Sequence, residues 1–401
     1  MINLFSTKNM TAYIHLLNSK KILYLSTFIA FSIIALFNLK LGVCFCGDGE
    51  TYSDWGNDLI NLNFNFLSFY ELFLDPSYAY YGFFTPSFFY TVPVTIVALV
   101  KVIFGSGWQN AFFVINLSLV LLSLIIILKS LLIIGVRPVL ISLTMFILVA
   151  SPDLLVWPQY ILSEMIFAFE VLLCMYIIIK GIVKDKINYF ALIMMISLLI
   201  LSRPSSVPIV FAVLSYIVIS RFNIEFTPKL LLLLFISLFI ITPIVLSFLY
   251  YFLDANITHP GQRKWTIDNV DLGMIIHMRP ETYVTPPQSF FDITYVYFIR
   301  MISFFTPYIK SFSSIHIILN SIETFIVLSS LLLWGFLKVN IKIFNKVILF
   351  ILLITISTAA YHSLTVIDYD FRYRFPLIMP LIMIFPIAME ILFKRLKIKQ
   401  V

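Results

Sequence analysis

Long apolar stretches alternate with short charged loops along this chain, and that alternation leaves few folds open to it. A helix crosses a bilayer with about 20 consecutive apolar residues, or fewer where the bilayer thins. Ten segments read as spans: 22–43, 109–134, 138–152, 162–180, 188–202, 205–220, 229–253, 312–337, 345–365 and 375–393. Two more apolar stretches, 86–104 and 290–311, are ambiguous, because they carry Lys101 in one case and Arg300 and Lys310 in the other, with Pro93 and Pro307 inside. Loop charge decides between topologies, since basic residues accumulate on the cytoplasmic side. With the N-terminus inside, 17 of the 27 basic residues fall in cytoplasmic segments, from Lys8, Lys20 and Lys21 to Lys338, Lys342, Lys346 and the tail from Lys394 to Lys399. The opposite side receives 15 of the 20 acids, and its first loop, with Asp48, Glu50, Asp54, Asp58, Glu71 and Asp75, has no Lys or Arg before residue 86. Letting only one ambiguous stretch span would turn basic loops outward, so both are expected as helices lying at the outer interface. The same parity asks for two short helices over 188–220, with Arg203, Pro204, Ser205 and Ser206 as an outer hairpin.

The expected fold is therefore all-α: a polytopic integral membrane protein with about ten transmembrane helices plus outer juxtamembrane helices, forming one domain over 1–401. Outer loops 44–108 and 254–311 are long enough to build a surface. A hydrophobic share of 61%, a charged share of 12% and a mean hydropathy of +1.01 exclude a soluble globular chain, a disulfide scaffold, a disordered chain and a nucleic-acid module. The net charge of +7 then records orientation and not a polyanionic partner. A basic N-terminus with no small-residue cleavage site after the first span predicts a retained anchor. Both termini are expected in the cytoplasm, most simply of a bacterial inner membrane. Cys44, Cys46 and Cys174 read mainly as small apolar filler, because a disulfide across one residue is strained. The sequon Asn256, Ile257, Thr258 would matter only in a eukaryotic secretory setting.

No Walker loop, GxGxxG, HExxH, GxSxG or CxxC pair is present, so chemistry must come from carboxylates and arginines at the outer ends of the spans. Gly47-Asp48-Gly49-Glu50-Thr51-Tyr52-Ser53-Asp54 follows the first span directly, and a helix-like run continues to Phe69. Glycines let the backbone turn sharply there, holding Asp48 at the boundary, where a carboxylate is suited to act as a general base; the plainer reading is a solvated acidic loop. Asp153 and Glu164 bracket a short outer loop with Trp157 and Tyr160. An acid entering a span, as Glu164 does, is either functional or tied to an arginine or to helix-terminal amides. Glu170 and Glu323 lie deeper, as site groups or halves of buried pairs. In an extended approach to Pro376, Arg372 and Arg374 would point the same way and could grip a phosphate as two guanidinium forks, or else snorkel at the interface. His259, Arg263, Lys264, Trp265, His277 and Arg279 enrich the second large loop.

These pieces resemble the polytopic GT-C glycosyltransferases, the superfamily of protein O-mannosyltransferases and lipid A aminoarabinose transferases. Asp48 with Tyr52 four residues on resembles the first-loop motif. The run Tyr81 to Tyr90 followed by Val102-Ile103-Phe104-Gly105 is similar to a Pro-rich juxtamembrane helix ending in Phe-Gly. Leu162-Ser163-Glu164, Leu201-Ser202-Arg203-Pro204 and Arg372-Tyr373-Arg374-Phe375-Pro376 match in kind and order, and the resemblance covers most of 20–395. It implies transfer of a sugar from a polyprenyl-phosphate carrier to a glycan, lipid or protein acceptor on the extracytoplasmic face, with inversion. Asp48 would be the base; Glu50, Tyr52, Glu164, Arg203, Arg372 and Arg374 would bind substrate, with no residue assigned to metal. Gly49 stands where the family often has a second acid, leaving Glu50 one place late. That departure sets a possible divalent cation in question. Partners are then the lipid-linked donor, the acceptor and membrane lipid, with no nucleic acid. A polymerase or ligase of lipid-linked glycans would share the outer arginines without needing a base at Asp48. A transporter or flippase would need charged or broken helices near mid-membrane.

Overall fold

The structure, a computed structural model, describes residues 20–45, 47–72, 87–222, 227–234, 236–237, 290–308, 313–337, 341–364 and 373–398. Among the described residues 87% are helical and none lies in a strand, as the apolar composition demands. The first helix, α1 (Lys20–Leu41), has no Gly or Pro inside it and ends at Gly42. Two helices follow near its end, α2 (Asp48–Asn61) and α3 (Phe66–Leu72), and then α4 (Thr91–Phe104) and α5 (Trp108–Ile133). Next, α6 (Pro138–Val149) starts with proline in its first turn, where the missing N–H costs nothing. A short α7 (Pro152–Val156) leads to α8 (Glu164–Lys184), α9 (Tyr189–Ser202) and α10 (Ser206–Arg221). The remaining helices are α11 (Phe290–Ser303), α12 (Ser314–Leu337), α13 (Lys342–Leu364), α14 (Phe375–Ile382) and α15 (Ile384–Ile398).

The main core lies where α8 packs on α5, α9 and α14, α1 on α6, and α10 on α13. Leu124, Met165, Leu172, Phe350 and Phe375 are fully buried in it. A satellite core of Tyr52, Leu59, Phe69, Val97, Phe112 and Ile161 fixes α2 and α4 to the rest. That second core sets where Asp48 and Tyr52 stand.

Of the ten expected spans, the described residues account for part: among them six helical runs are long and apolar enough to cross a membrane, or seven if one bent pair counts as a span. Segment 138–152 is that pair: α6 stops at Val149 and the chain resumes at Pro152 after a 61° bend, because residues 150–151 leave the helix before the proline. Expected spans 188–202 and 205–220 do form two separate helices, but α9 and α10 hold 14 and 16 residues. They rise only about 21 and 24 Å at about 1.5 Å per residue, short of a bilayer core of about 30 Å. Stretch 86–104 joins the following span in one apolar helical run, Phe88–Ile133, with a turn at Gly105–Gly107. Most of 229–253, and most of loop 254–311 before Phe290, lies outside the described residues.

Exposed basic side chains gather at one end of the bundle. Helix polarity brings the ends holding Lys21, Lys129, Lys180, Lys184, Arg221 and Lys342 to one end. At that same end Arg137 Nε meets Glu390 Oε1 at 3.2 Å, Arg395 Nη1 donates to the Leu337 carbonyl at 2.6 Å, and Lys394 lies 4.4 Å over the Phe344 ring. Asp48, Glu50, Asp54 and Asp58, on α2, sit at the other end.

Candidate active site at the Asp48 end of the bundle

The chain leaves α1 and runs beside the segment that precedes α8. Cys44 N–H donates to the Gln159 carbonyl at 2.9 Å and Ile161 N–H donates to the Cys44 carbonyl at 3.2 Å. From α5, the Asn116 side-chain amide donates to the Pro158 and Tyr160 carbonyls at 3.1 and 2.9 Å, pinning the same segment. At Gly47 the backbone adopts φ 55°, the left-handed region that glycine enters without penalty, and α2 begins at the next residue. Gly49 then packs directly on the neighbouring backbone: a Cβ there would lie 2.8 Å from the Ile161 carbonyl oxygen. No side chain fits at that position, so the absence of an acid follows from packing. Asp48 and Glu50 on either side are exposed.

One turn further on, Tyr52 is buried, 4% exposed, and its hydroxyl shares a 3.2 Å hydrogen bond with Ser163 Oγ. The Trp55 and Tyr90 rings flank it at 6.0 and 5.5 Å. Burial pushes the Tyr52 hydroxyl well above its ordinary value; Tyr90, the Glu164 carboxylate and, least, Asp48 push the same way, against Arg203. Tyr52 is therefore a neutral O–H group with Asp48, Glu164 and Arg203 all in electrostatic reach.

Glu164 opens α8, where free helix-terminal amides favour a carboxylate, and Arg203 follows the C-terminus of α9, where carbonyls favour a cation. Their side chains meet at 2.7 Å, both buried. Arg203 also lies 5.3 Å from the Tyr373 ring, which packs 4.8 Å from His362. Arg300, on α11, is buried and acts on His362 together with Arg203. Just below, Ser202 Oγ donates to Glu170 Oε1 at 2.8 Å, so the deeper acid of α8 is held by the end of α9.

Arg374 does not take the expected arrangement. Its backbone, φ −86° and ψ −24°, is already coiled into the start of α14, so the alternating side-chain rule of an extended strand does not hold there. Its guanidinium is buried and faces the carboxylates of Glu323, on α12, and Asp153, on α7. Asp153 accepts a hydrogen bond from Trp157 Nε1 at 2.9 Å. Arg372 lies outside the described residues, as do His259, Arg263, Lys264, Trp265, His277 and Arg279.

Lys101 spans from α4 to α2, donating to the Ser53 carbonyl, Ser53 Oγ and Asn57 Oδ1 at 2.8, 2.7 and 2.8 Å, while lying 4.8 Å over Trp108. It serves as a clamp on the Asp48 helix. Sequence reasoning passes over this role, as it does over Ser163 as a partner of Tyr52 and over His362 altogether. A histidine near the end of an apolar span is the one signal that would have marked His362.

The structure thus brings Asp48, Tyr52, Glu164 and Arg203 to one place and puts Arg374 in a neighbouring cluster. Among the described residues no three His, Cys, Asp or Glu side chains gather closely enough to hold a metal ion. Chemically, the end offers an accessible carboxylate beside a neutral hydroxyl and a guanidinium held by a buried acid. No family model matches the chain, and no curated protein and no solved structure is significantly similar to it.

Proposed function

We propose that this membrane protein is a glycosyltransferase that moves a sugar from a polyprenyl-phosphate carrier to a glycan, lipid or protein acceptor at the extracytoplasmic face. The observation that carries this reading is the meeting of Asp48 and Tyr52 with the buried Glu164–Arg203 pair at one end of an apolar bundle. The resemblance of these same residues to GT-C motifs points the same way.

In this reading Asp48, exposed at the first residue of α2, takes the proton from the acceptor hydroxyl. The acceptor oxygen bonds to the anomeric carbon from the face opposite the phosphate, so configuration inverts. The bond from that carbon to the phosphate oxygen breaks, and the carrier leaves as polyprenyl phosphate. A phosphate leaves without being protonated, so one base suffices where a glycosidase needs an acid and a base. A guanidinium carries five N–H donors, so Arg203 can be positioned by Glu164 and still stabilise developing phosphate charge.

Asp48→Asn tests the assignment. We expect a normally inserted protein whose transfer of sugar from lipid-linked donor is lost. Full transfer by that variant would reject the base and favour a polymerase or ligase, which needs none at Asp48.

A further inference from the structure

The face that α12 turns into the protein is mostly polar. Its buried residues are Asn320, Glu323, Ser330 and Leu337, while Ile315, Phe325 and Phe336 are exposed on its other sides. A spanning helix ordinarily packs through small or apolar residues, and polar groups inside a membrane protein mark paths or binding sites. Asn320 is 0% exposed, and among the described residues neither its Oδ1 nor its Nδ2 has a hydrogen-bonding partner; Glu323 Oε2 has none there either. Ser151 lies against Glu323. Opposite stand Arg374 and Asp153. Arg374 acts on Glu323 and also on His316, two turns earlier, so its charge spans the level of Asn320 between them.

We propose that this polar face of α12, with Asp153 and Arg374 across from it, binds the hydroxyl groups of the lipid-borne sugar. The proposal rests on the glycosyl-transfer reading and names the group that this part of the protein recognises. A buried amide with both ends unmatched needs a partner that donates and accepts, and a hydroxyl does both. Glu323 Oε2 needs a donor, which a second hydroxyl supplies. An anion is a poor occupant, because the Arg374 charge is already opposed by two carboxylates. A neutral, hydroxyl-rich ring fits all three demands. The place suits the reaction as well: Tyr373, next to Arg374, packs on Arg203 of the Glu164 pair, and Trp157, hydrogen-bonded to Asp153, lies with its ring tilted 6.4 Å from that of Phe375. A sugar held here would have its phosphate end toward Arg203. The exposed apolar side of α12, with Ile315, Phe325 and Phe336, also suits a substrate that arrives sideways from the bilayer on a lipid tail.

The test uses the full chain purified in a detergent without a sugar headgroup. D-mannose, D-glucose, D-galactose, L-rhamnose and L-arabinose are added singly, with inorganic phosphate as a second probe, and the thermal midpoint is followed. At least one monosaccharide is expected to raise the midpoint saturably, and Asn320→Leu and Glu323→Gln to abolish that rise while leaving any effect of phosphate in place. With lipid-linked donor, Asn320→Leu is expected to raise KM about tenfold or more, as loss of one or two hydrogen bonds does. No saturable shift with any sugar, as a site filled by water alone would give, overturns the proposal. So does an unchanged shift and KM in Asn320→Leu. If the wild-type chain transfers no sugar yet shows the Asn320-dependent shift, the transferase reading fails and the sugar site stands.

Discussion

Breaking the Glu164–Arg203 pair from one side should harm the protein far more than replacing both partners. At 2.7 Å and an effective dielectric of about 20, the attraction is about 6 kcal/mol. Burial of both groups, 1% and 4% exposed, means that neither is screened by water, and desolvation cancels much of that attraction. Glu164→Leu alone leaves a buried guanidinium and Arg203→Met alone leaves a buried carboxylate; each is expected to cost about 3–5 kcal/mol. Added independently the two would cost about 6–10 kcal/mol, yet the double variant is expected within about 2 kcal/mol of the wild type. Denaturant unfolding in mixed micelles, followed by tryptophan fluorescence, measures all four species. Transfer activity should stay low in the double variant even where stability returns, because the proposed reaction uses Arg203 to stabilise phosphate charge. A single Glu164→Leu that costs less than about 1 kcal/mol, or a double variant as unstable as the sum, would refute the coupling.

Other expectations follow from single contacts. Gly49→Ala should lower stability by about 1–3 kcal/mol, because its methyl group meets the fixed Ile161 carbonyl at 2.8 Å; Gly49→Asp, which supplies the second acid frequent in the GT-C first-loop motif, should fare no better in a melting assay. Lys101→Met removes three hydrogen bonds between α4 and α2, so hydrogen exchange in residues 48–61 should quicken and transfer should fall although Asp48 is intact. For Tyr52 the folded value is raised above the unfolded value near 10.0, so its favourable contribution is complete below pH 10 and is lost as pH climbs through the folded value. Tyr52→Phe should therefore cost about 1 kcal/mol at neutral pH through the lost Ser163 bond. It should also flatten the fall of stability above pH 10 in the same unfolding assay.

What the sequence made legible is what hydropathy and helix chemistry carry locally. The long spans were visible as apolar runs, and Glu164 was placed at the first residue of its helix because charge and apolar pattern change there together. Division of 188–220 into two helices came from charge parity and appears as α9 and α10 separated by Arg203–Ser205. Their shortness was legible as well; the exact residues at which each helix ends were not, because an apolar residue in a loop and one in a helix look alike to a hydropathy sum. The side-chain partners were out of reach for a related reason. Helices such as α8, α9 and α13 are apolar nearly all round, so no amphipathic stripe tells which face carries a lone Ser202 or His362 inward. Glu164 finds Arg203 only because α8 and α9 pack side by side, a fact held in the fit of Leu172, Leu192 and Leu199 and not in any spacing.

The arginines show how that limit alters chemistry. Reading 372–376 as extended makes Arg374 one tine of a phosphate fork, and spacing alone supports it. Coiling at the start of α14 turns the same side chain toward Glu323 and Asp153, and two carboxylates make it a poor holder of a further negative charge. In the proposed reaction the anion-stabilising role then falls to Arg203, whose place beside Tyr52 and Tyr373 comes from a turn between two short helices. The proposed sugar site gives Arg374 a different use, holding the acids of α7 and α12 in place as fixed acceptors for hydroxyl groups. Exchanging these roles predicts opposite kinetic signatures. Arg203→Lys should lower kcat through weakened transition-state contacts, whereas Arg374→Lys should mainly raise KM for the lipid-linked sugar. Steady-state kinetics on the two variants separates them, and a kcat loss confined to Arg374→Lys would return the phosphate to α14.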